Sequence, residues 1–329
     1  MLIIDAATTA RHLGFAPLIE ALRAMFVTGC SVPLRHTHRI DGVGDNDPGG
    51  TLLLMPAWRP GRRLGLKTVT IFPGNGALGV PGLHSTYLLF DATTGVPLAQ
   101  IDGNEITSRR TAAVAALAAS FLARPDASRL LIVGTGRVAS LLADAMRAVR
   151  PIAQVQIWNH RAASALALAA HLRDAGFDAR ATDDLADAAA RADIISCATL
   201  STTPLIRGEW LRPGTHLDLI GSFTPQMHEA DAACFARGHV FVDTAEALAK
   251  SGDVLQAVAE GAFAAERVQG TRAQLCAGTH RGRDDAVQCT LFKAVGTALA
   301  DLAAAELVWC GVQRESLSCT ASTAPDRPT

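Results

Sequence analysis

The stretch that most constrains this chain is "RLLIVGTGRVASLLADAMRAV". Residues 130–133 form an apolar run, a glycine-rich turn follows at once, and Val138, Leu141, Leu142, Ala145, Met146 and Val149 then recur at helical spacing. Within it "GTGRVA" fits G-x-G-x-x-A at Gly134, Gly136 and Ala139. The first glycine permits a tight turn, the second lets backbone approach a pyrophosphate, and the alanine keeps helix close to strand. Free N–H groups and the dipole at a helix start favour an anion there. The motif is specific here because a strand precedes it and a helix follows. Gly134, Thr135, Gly136, Arg137 and Val138 are therefore expected at the phosphates of a dinucleotide.

The rest of the chain fits around that unit. "VQIW" (155–158), "DIISCAT" (193–199), "THLDLIG" (215–221) and "HVFVDT" (239–244) read as further strands with helices between them. Apolar strands alternating with helices imply a parallel sheet covered on both faces. The expected fold class is α/β, with a Rossmann domain over 120–295. Residues 1–119 read differently. An opening helix is followed by strand-like runs "TLLLMPAW" (51–58), "GLKTVTIF" (65–72) and two strands within 85–102 joined by a Thr-Thr-Gly turn. "DGVGDNDPGG" (41–50) reads as a loop. A helix starting near 106, with Thr107 or Ser108 as N-cap, presents Val114, Leu117 and Phe121 on one face. A last helix is expected over 290–309 and a disordered polar tail over 311–329. Residues 1–119 and 296–329 would together make a second, α+β domain.

Length and charge narrow the function classes. A chain of 329 residues accommodates two domains with their own cores. A net charge of −1 and a pI near 6.8 give no nucleic-acid signal, so any anion site must be local. The Met-Leu-Ile-Ile-Asp start lacks the basic segment of a signal peptide, and no stretch reads as a membrane span. Seven scattered cysteines with no CxxC pair suggest reduced thiols and a cytoplasmic location. No metal site is expected.

The second strand of the Rossmann unit ends "WNHRAAS". An NAD site usually places an acid there for the ribose 2′-hydroxyl, whereas Asn159, His160 and Arg161 offer none, and an arginine suits a 2′-phosphate. NADPH is the expected cofactor, with NADH still open. Three cations occupy unusual positions. Lys67 interrupts an apolar strand, Arg35 lies among β-type residues, and Arg110 falls in the expected first turn of a helix, against its dipole. Singly, Lys67 and Arg35 could face solvent and Arg110 could pair with Glu105. Together they could hold a carboxylate, arginine by its fork and lysine as a point charge. The strand end "IGSFTP" (220–225) should face the cofactor, yet it offers only Ser222, Phe223 and Thr224, with neither acid nor base.

"GLKTVTIFPGN", "LLFDATTGVPLAQIDGNEITSRRTAA", "IVGTGRVAS", "GTHLDLIGSFTPQMHEAD" and "LFKAVGTALADLAAA" resemble the ornithine cyclodeaminase/mu-crystallin family in order and spacing. The resemblance runs to about residue 310. It implies a homodimer whose N-terminal part and last helix form the dimerisation and substrate domain. It implies that Arg35, Lys67 and Arg110 hold the substrate carboxylate, that Arg110 and Thr111 approach the cofactor phosphates, that Asn159, His160, Arg161 and Ser164 surround the 2′-phosphate, and that Thr199, Leu200 and Ser222 line the cofactor. Cyclodeaminases of the family carry an Asp where this chain has Phe223. An acid positions a substrate amine and moves its protons, and a cyclic imine has no such amine. The chain therefore resembles the branch that reduces Δ1-pyrroline-2-carboxylate to L-proline and Δ1-piperideine-2-carboxylate to L-pipecolate. In that branch Lys67 or His84 would serve the imine proton, and Ser85, Thr86 and Phe223 would line the substrate pocket. The family also contains ornithine cyclodeaminases, alanine dehydrogenases and mu-crystallin-like NADPH-dependent binding proteins.

Overall fold

The computed structural model describes residues 1–43 and 48–322. The middle of the loop expected at 41–50 and the end of the expected tail, 323–329, lie outside the described residues. The chain forms two compact units, one of Met1–Arg110 with the chain from Ala298 on, the other of Thr111–Thr297. The division falls inside a helix, upstream of residue 119.

The first unit is built on β1 (Leu2–Ile4), β2 (His36–Ile40), β3 (Gly50–Trp58), β4 (Arg63–Ile71), β5 (Leu83–Asp91) and β6 (Pro97–Asp102), ordered β1-β6-β5-β4-β3-β2. The strands β2 to β6 form an antiparallel meander, and β1 adds in parallel to β6. Asp91 Oδ1 accepts from Thr93 N and Thr94 N at 2.9 Å, which fixes the turn between β5 and β6. Helices Phe15–Thr28 and Ala298–Ser322 pack against each other, and the latter also against β3 and β4. The N-terminus opens with β1 and two helices, Ala6–His12 and Phe15–Thr28, rather than with one helix.

The second unit contains β7 (Arg129–Val133), β8 (Gln154–Trp158), β9 (Asp178–Ala181), β10 (Ile194–Cys197), β11 (Thr202–Ile206), β12 (His216–Leu219), β13 (His228–Ala230), β14 (His239–Val242), β15 (Gly270–Thr271) and β16 (Thr290–Lys293). Eight of these make a wholly parallel sheet, ordered β15-β14-β16-β12-β10-β7-β8-β9, while β11 and β13 pair separately. From β7 the order runs outward through β8 and β9 on one side and through β10 and β12 on the other. The switch point, where such sheets bind ligands at their carboxyl ends, is thus between β7 and β10. No helix among the described residues is long and apolar enough to cross a membrane.

Three expectations about helices are corrected. The helix expected from 106 begins at Gly103 and runs to Leu122, and Asp102, not Thr107 or Ser108, receives the Glu105 amide on its side chain at 2.8 Å. Gly103 permits that start, since a Cβ there would lie 2.6 Å from the Ser85 backbone. Arg110 consequently sits two turns into the helix, so the dipole argument for it does not apply. The helix expected over 290–309 is divided. Thr290–Lys293 is the buried strand β16 between β12 and β14, Gly296 turns the chain at φ +83°, and the helix begins at Ala298. A four-residue segment, Thr-Leu-Phe-Lys, has too few positions to distinguish the two periods. Finally, the helix continues to Ser322, so 311–322 is helical and not a disordered tail.

Candidate functional site

Each unit carries one group of the residues singled out in the sequence. In the second unit Gly134 leaves β7 at φ +113°, a conformation that favours glycine, and a Cβ there would lie 2.6 Å from the Ala198 carbonyl oxygen at the end of β10. A Cβ on Gly136 would meet nothing within 4 Å, so the backbone is open to close approach by a ligand. Ala139 is fully buried. The Ser140 amide closes a helical turn on the Gly136 carbonyl at 3.0 Å, a 3-10 turn follows at Ala139–Leu141, and the α-helix proper is Leu142–Arg147. Turn, opening and helix fit a dinucleotide pyrophosphate at 134–138.

The flanking elements complete the cradle. After β8 come half-buried Asn159 and exposed His160 and Arg161, with Ser164 in the first turn of helix Ala162–Asp174. The Asn159 amide donates to the Arg161 carbonyl at 3.4 Å. No acid stands between 159 and 164. Thr199 and Leu200 follow β10, with Leu200 71% exposed. Gly221 must be glycine for space, since a Cβ would lie 2.1 Å from the Thr199 carbonyl oxygen. The ends of β7, β10 and β12 therefore bring Gly134, Thr199 and Ser222 to one edge of the sheet.

Glu229, which the sequence reading missed, locks that edge. Its Oε1 accepts from Thr199 N and Oγ1 at 2.7 and 2.8 Å, and its Oε2 from Gly221 N and Ser222 N at 2.6 and 3.3 Å. It is fully buried, and burial first, opposed by Lys293 and joined by Asp253, pushes its carboxyl up. "IGSFTP" thus does have a carboxylate behind it, but both oxygens are engaged by the main chain and Thr199. Ser222 is buried and donates to the Met227 carbonyl at 2.5 Å. Phe223 is partly buried against Val242, Ala247 and Val295.

In the first unit two of the three cations come together. Lys67 on β4 and Arg110 are buried, and both face Asp301, in the first turn of helix Ala298–Ser322 and wholly buried. Lys67 Nζ is 2.7 Å from Asp301 Oδ2, and Arg110 Nε donates to Oδ1 at 2.8 Å. Burial, set against Asp301 and reinforced by Arg110 and Arg35, brings Lys67 down to about 8. Burial alone would raise Asp301, but Arg110 and Lys67 outweigh it and hold the carboxyl below its ordinary range. Arg35, half-buried just before β2, adds to the positive field at Lys67. The pair imagined for Arg110 with Glu105 belongs to its neighbour instead, Arg109 Nε reaching Glu105 at 2.9 Å.

The sheet register sorts the other first-unit candidates. Lys67 lies opposite Tyr87, and Val69 opposite Ser85, so Ser85 and the fully buried Tyr87 share the face of Lys67. Thr86 and His84, opposite Thr68 and Thr70, point from the other face, and His84 is exposed. The register therefore does not gather His84 and Thr86 with Lys67, because neighbouring strand positions alternate. Thr111 follows Arg110 on the helix and is buried. Asp301 had a readable signal, as a lone acid in "TALADLAAA". Glu229, in the short strand β13, had none.

The ornithine cyclodeaminase/mu-crystallin family model matches residues 5–315. A Δ1-pyrroline-2-carboxylate reductase of Paracoccus denitrificans is 42% identical over 299 residues, covering 90% of this chain and 92% of that protein. The structure of Thermococcus litoralis Δ1-pyrroline-2-carboxylate reductase in complex with NADH and L-proline superposes with a TM-score of 0.89 at 28% identity, over 96% of this chain and 98% of that one. An archaeal alanine dehydrogenase dimer with bound NAD gives a TM-score of 0.87 at 28% identity, over 96% and 97%.

Proposed function

This chain belongs to the ornithine cyclodeaminase/mu-crystallin family, and from that premise we propose that it reduces Δ1-pyrroline-2-carboxylate to L-proline and Δ1-piperideine-2-carboxylate to L-pipecolate, with NADPH preferred. It is a pyridine-nucleotide-dependent oxidoreductase acting on imines. The observation that carries the finer reading is the end of β12. Phe223 stands there, and the adjacent carboxylate, Glu229, has both oxygens engaged by backbone amides and Thr199. Such an edge has no free acid to hold a substrate ammonium, which ornithine would require, but it suits a flat ring.

When bound, the nicotinamide supplies the hydride. Gly134–Val138 would hold its pyrophosphate, and Arg161 with Asn159, His160 and Ser164 the adenosine 2′-phosphate. Lys67 and Arg110, with Arg35, fix the substrate carboxylate: two buried cations on the single carboxylate of Asp301 leave positive charge uncompensated. Lys67, depressed toward neutrality, holds a proton it can lend to the imine nitrogen. A protonated imine is more electrophilic at C2, where the hydride arrives. The reading includes a homodimer, in keeping with the dimeric alanine dehydrogenase relative.

The test follows NADPH absorbance with each imine and, in parallel, ammonia release from L-ornithine with NAD⁺. Rapid NADPH oxidation with either imine and no ammonia from ornithine is expected. Ammonia release without imine reduction would overturn the reading, and dependence of NADH oxidation on pyruvate plus ammonia would transfer the chain to the alanine dehydrogenases.

A further inference from the structure

We infer that Asp301 is the positioning residue of the carboxylate site, holding Lys67 and Arg110 by one oxygen each so that both cations present fixed atoms to the substrate. This rests on the imine-reductase reading for what the cations bind, though not for how they are held. The three side chains come from β4, the helix Gly103–Leu122 and the helix Ala298–Ser322, so no local sequence constraint brings them together. Asp301 lies among Ala298, Leu299, Ala300, Leu302, Ala303 and Ala304, all buried. An acid in such surroundings persists only if paired.

The geometry divides the carboxylate. Oδ1 takes Arg110 through Nε, at the inner edge of the guanidinium, which fixes the plane of the group and leaves its two terminal amino groups outside this pair. Oδ2 takes Lys67, whose ammonium has further protons to offer. A substrate carboxylate then meets a fork whose orientation is already set. Behind Lys67 the position is closed: Tyr87 stands opposite on β5, and a Cβ on Gly65 would fall 1.8 Å from the Tyr87 hydroxyl.

Asp301 also governs the charge of Lys67. The groups acting on this lysine are Asp301 from the last helix, Arg110 from the helix Gly103–Leu122 and Arg35 ahead of β2. Tyr87 is neutral, raised well above its ordinary value by burial and then by Asp301, Glu306 and Cys30. Glu306, a turn further along the last helix, is ion-paired to Arg59. Among these, Asp301 is the partner that favours the ammonium, whereas burial, Arg110 and Arg35 oppose it.

The experiment compares Asp301→Asn with wild type in the imine assay between pH 6 and 10, with cofactor affinity read by nicotinamide fluorescence. A group that must be protonated loses activity as pH rises through its pKa, and removing Asp301 lowers that pKa. The alkaline limb of kcat/KM should therefore move to lower pH in Asp301→Asn, with at least a tenfold loss at pH 8 that shrinks toward pH 6, and with cofactor affinity unchanged. A uniform loss with an unmoved limb, or no loss, overturns the inference. Should the variant fail to fold, the wild-type chain answers: 15N-lysine NMR, with Lys67 assigned by its absence in Lys67→Met, should show a charged, slowly exchanging ammonium at pH 7. A neutral amine at that pH overturns it as well. Absence of turnover by wild type with both imines would count against the imine reading alone, since the NMR titration needs no substrate.

Discussion

Lys67 and Lys293 are both buried and each faces an aspartate, at 2.7 and 3.1 Å, yet the two carboxylates use their remaining lone pairs differently. In the second unit Asp253 turns its other oxygen to the main chain, accepting from Glu229 N at 2.6 Å and Ala230 N at 3.1 Å. In the first unit the other oxygen of Asp301 takes a second cation, Arg110. The Asp253 pair is closed by backbone, and in its neighbourhood Asp218, whose Oδ2 accepts from Ser196 at 2.5 Å, is pushed up to about 7 chiefly by burial, against the pull of Lys293 and Arg272. The Asp301 pair carries surplus positive charge. On the proposed reading, a substrate carboxylate is what would neutralise that surplus.

Substitutions at the two lysines should separate these roles. Lys67→Ala is expected to abolish turnover, a loss of at least about 10²-fold if only electrostatic stabilisation is removed. It should leave the urea midpoint nearly unchanged, because Asp301 retains Arg110. Activity near wild type would remove Lys67 from the site. Lys293→Met is expected to do the reverse. It strands Asp253 opposite a thioether and should lower stability by about 3 kcal/mol in urea unfolding, while the kinetics of the folded fraction stay near wild type. If Lys67→Ala cost more stability than Lys293→Met, the contrast between the pairs would fail.

The sequence made the second unit legible because its strands are continuous apolar runs separated by glycines with assigned tasks. Gly134 and Gly136 do have the conformation and the space that the motif predicts. What periodicity could not read was the short strands β9, β11, β13 and β15, together with β16 and the start of the last helix, since "TLFKAVGTALADLAAA" is buried almost throughout and a helix without a polar face has no phase. Lys67 was legible as a charge in an apolar strand, whereas Arg110 was marked by an expected place in the first turn of its helix, which the structure does not give it. Asp301 is the same signal as Lys67 with the opposite sign, a lone charge in an apolar run. Glu229 was not legible, because its role depends on where two distant strand ends converge. Strand alternation separates His84 and Thr86 from Ser85, and the register sets them on the opposite face from Lys67.

Phe223→Asp tests the other half of the contrast, since it adds a carboxylate to an edge whose own carboxylate is already engaged. Imine reduction should fall by about tenfold, the scale of one lost apolar contact plus an unpaired acid, seen as a rise in KM with both imines. Unchanged kinetics would mean that the ring does not rest on Phe223.

The smallest effect concerns the cofactor. Arg161 is exposed at the start of helix Ala162–Asp174, and no acid stands nearby in sequence to prefer a ribose 2′-hydroxyl. An exposed charged contact is screened by solvent, so its contribution is modest and depends on salt. Arg161→Ala should raise KM for NADPH by about three- to tenfold, as one charge-assisted hydrogen bond would, and leave KM for NADH as it was. Repeating the measurement in 0.5 M salt should narrow the gap between wild type and variant, because the wild-type contact is what salt weakens. An equal rise with both cofactors would place Arg161 on a part of the cofactor common to both. No change with either would leave the choice between NADPH and NADH to Asn159, His160 and Ser164, which lack the guanidinium fork and would discriminate less.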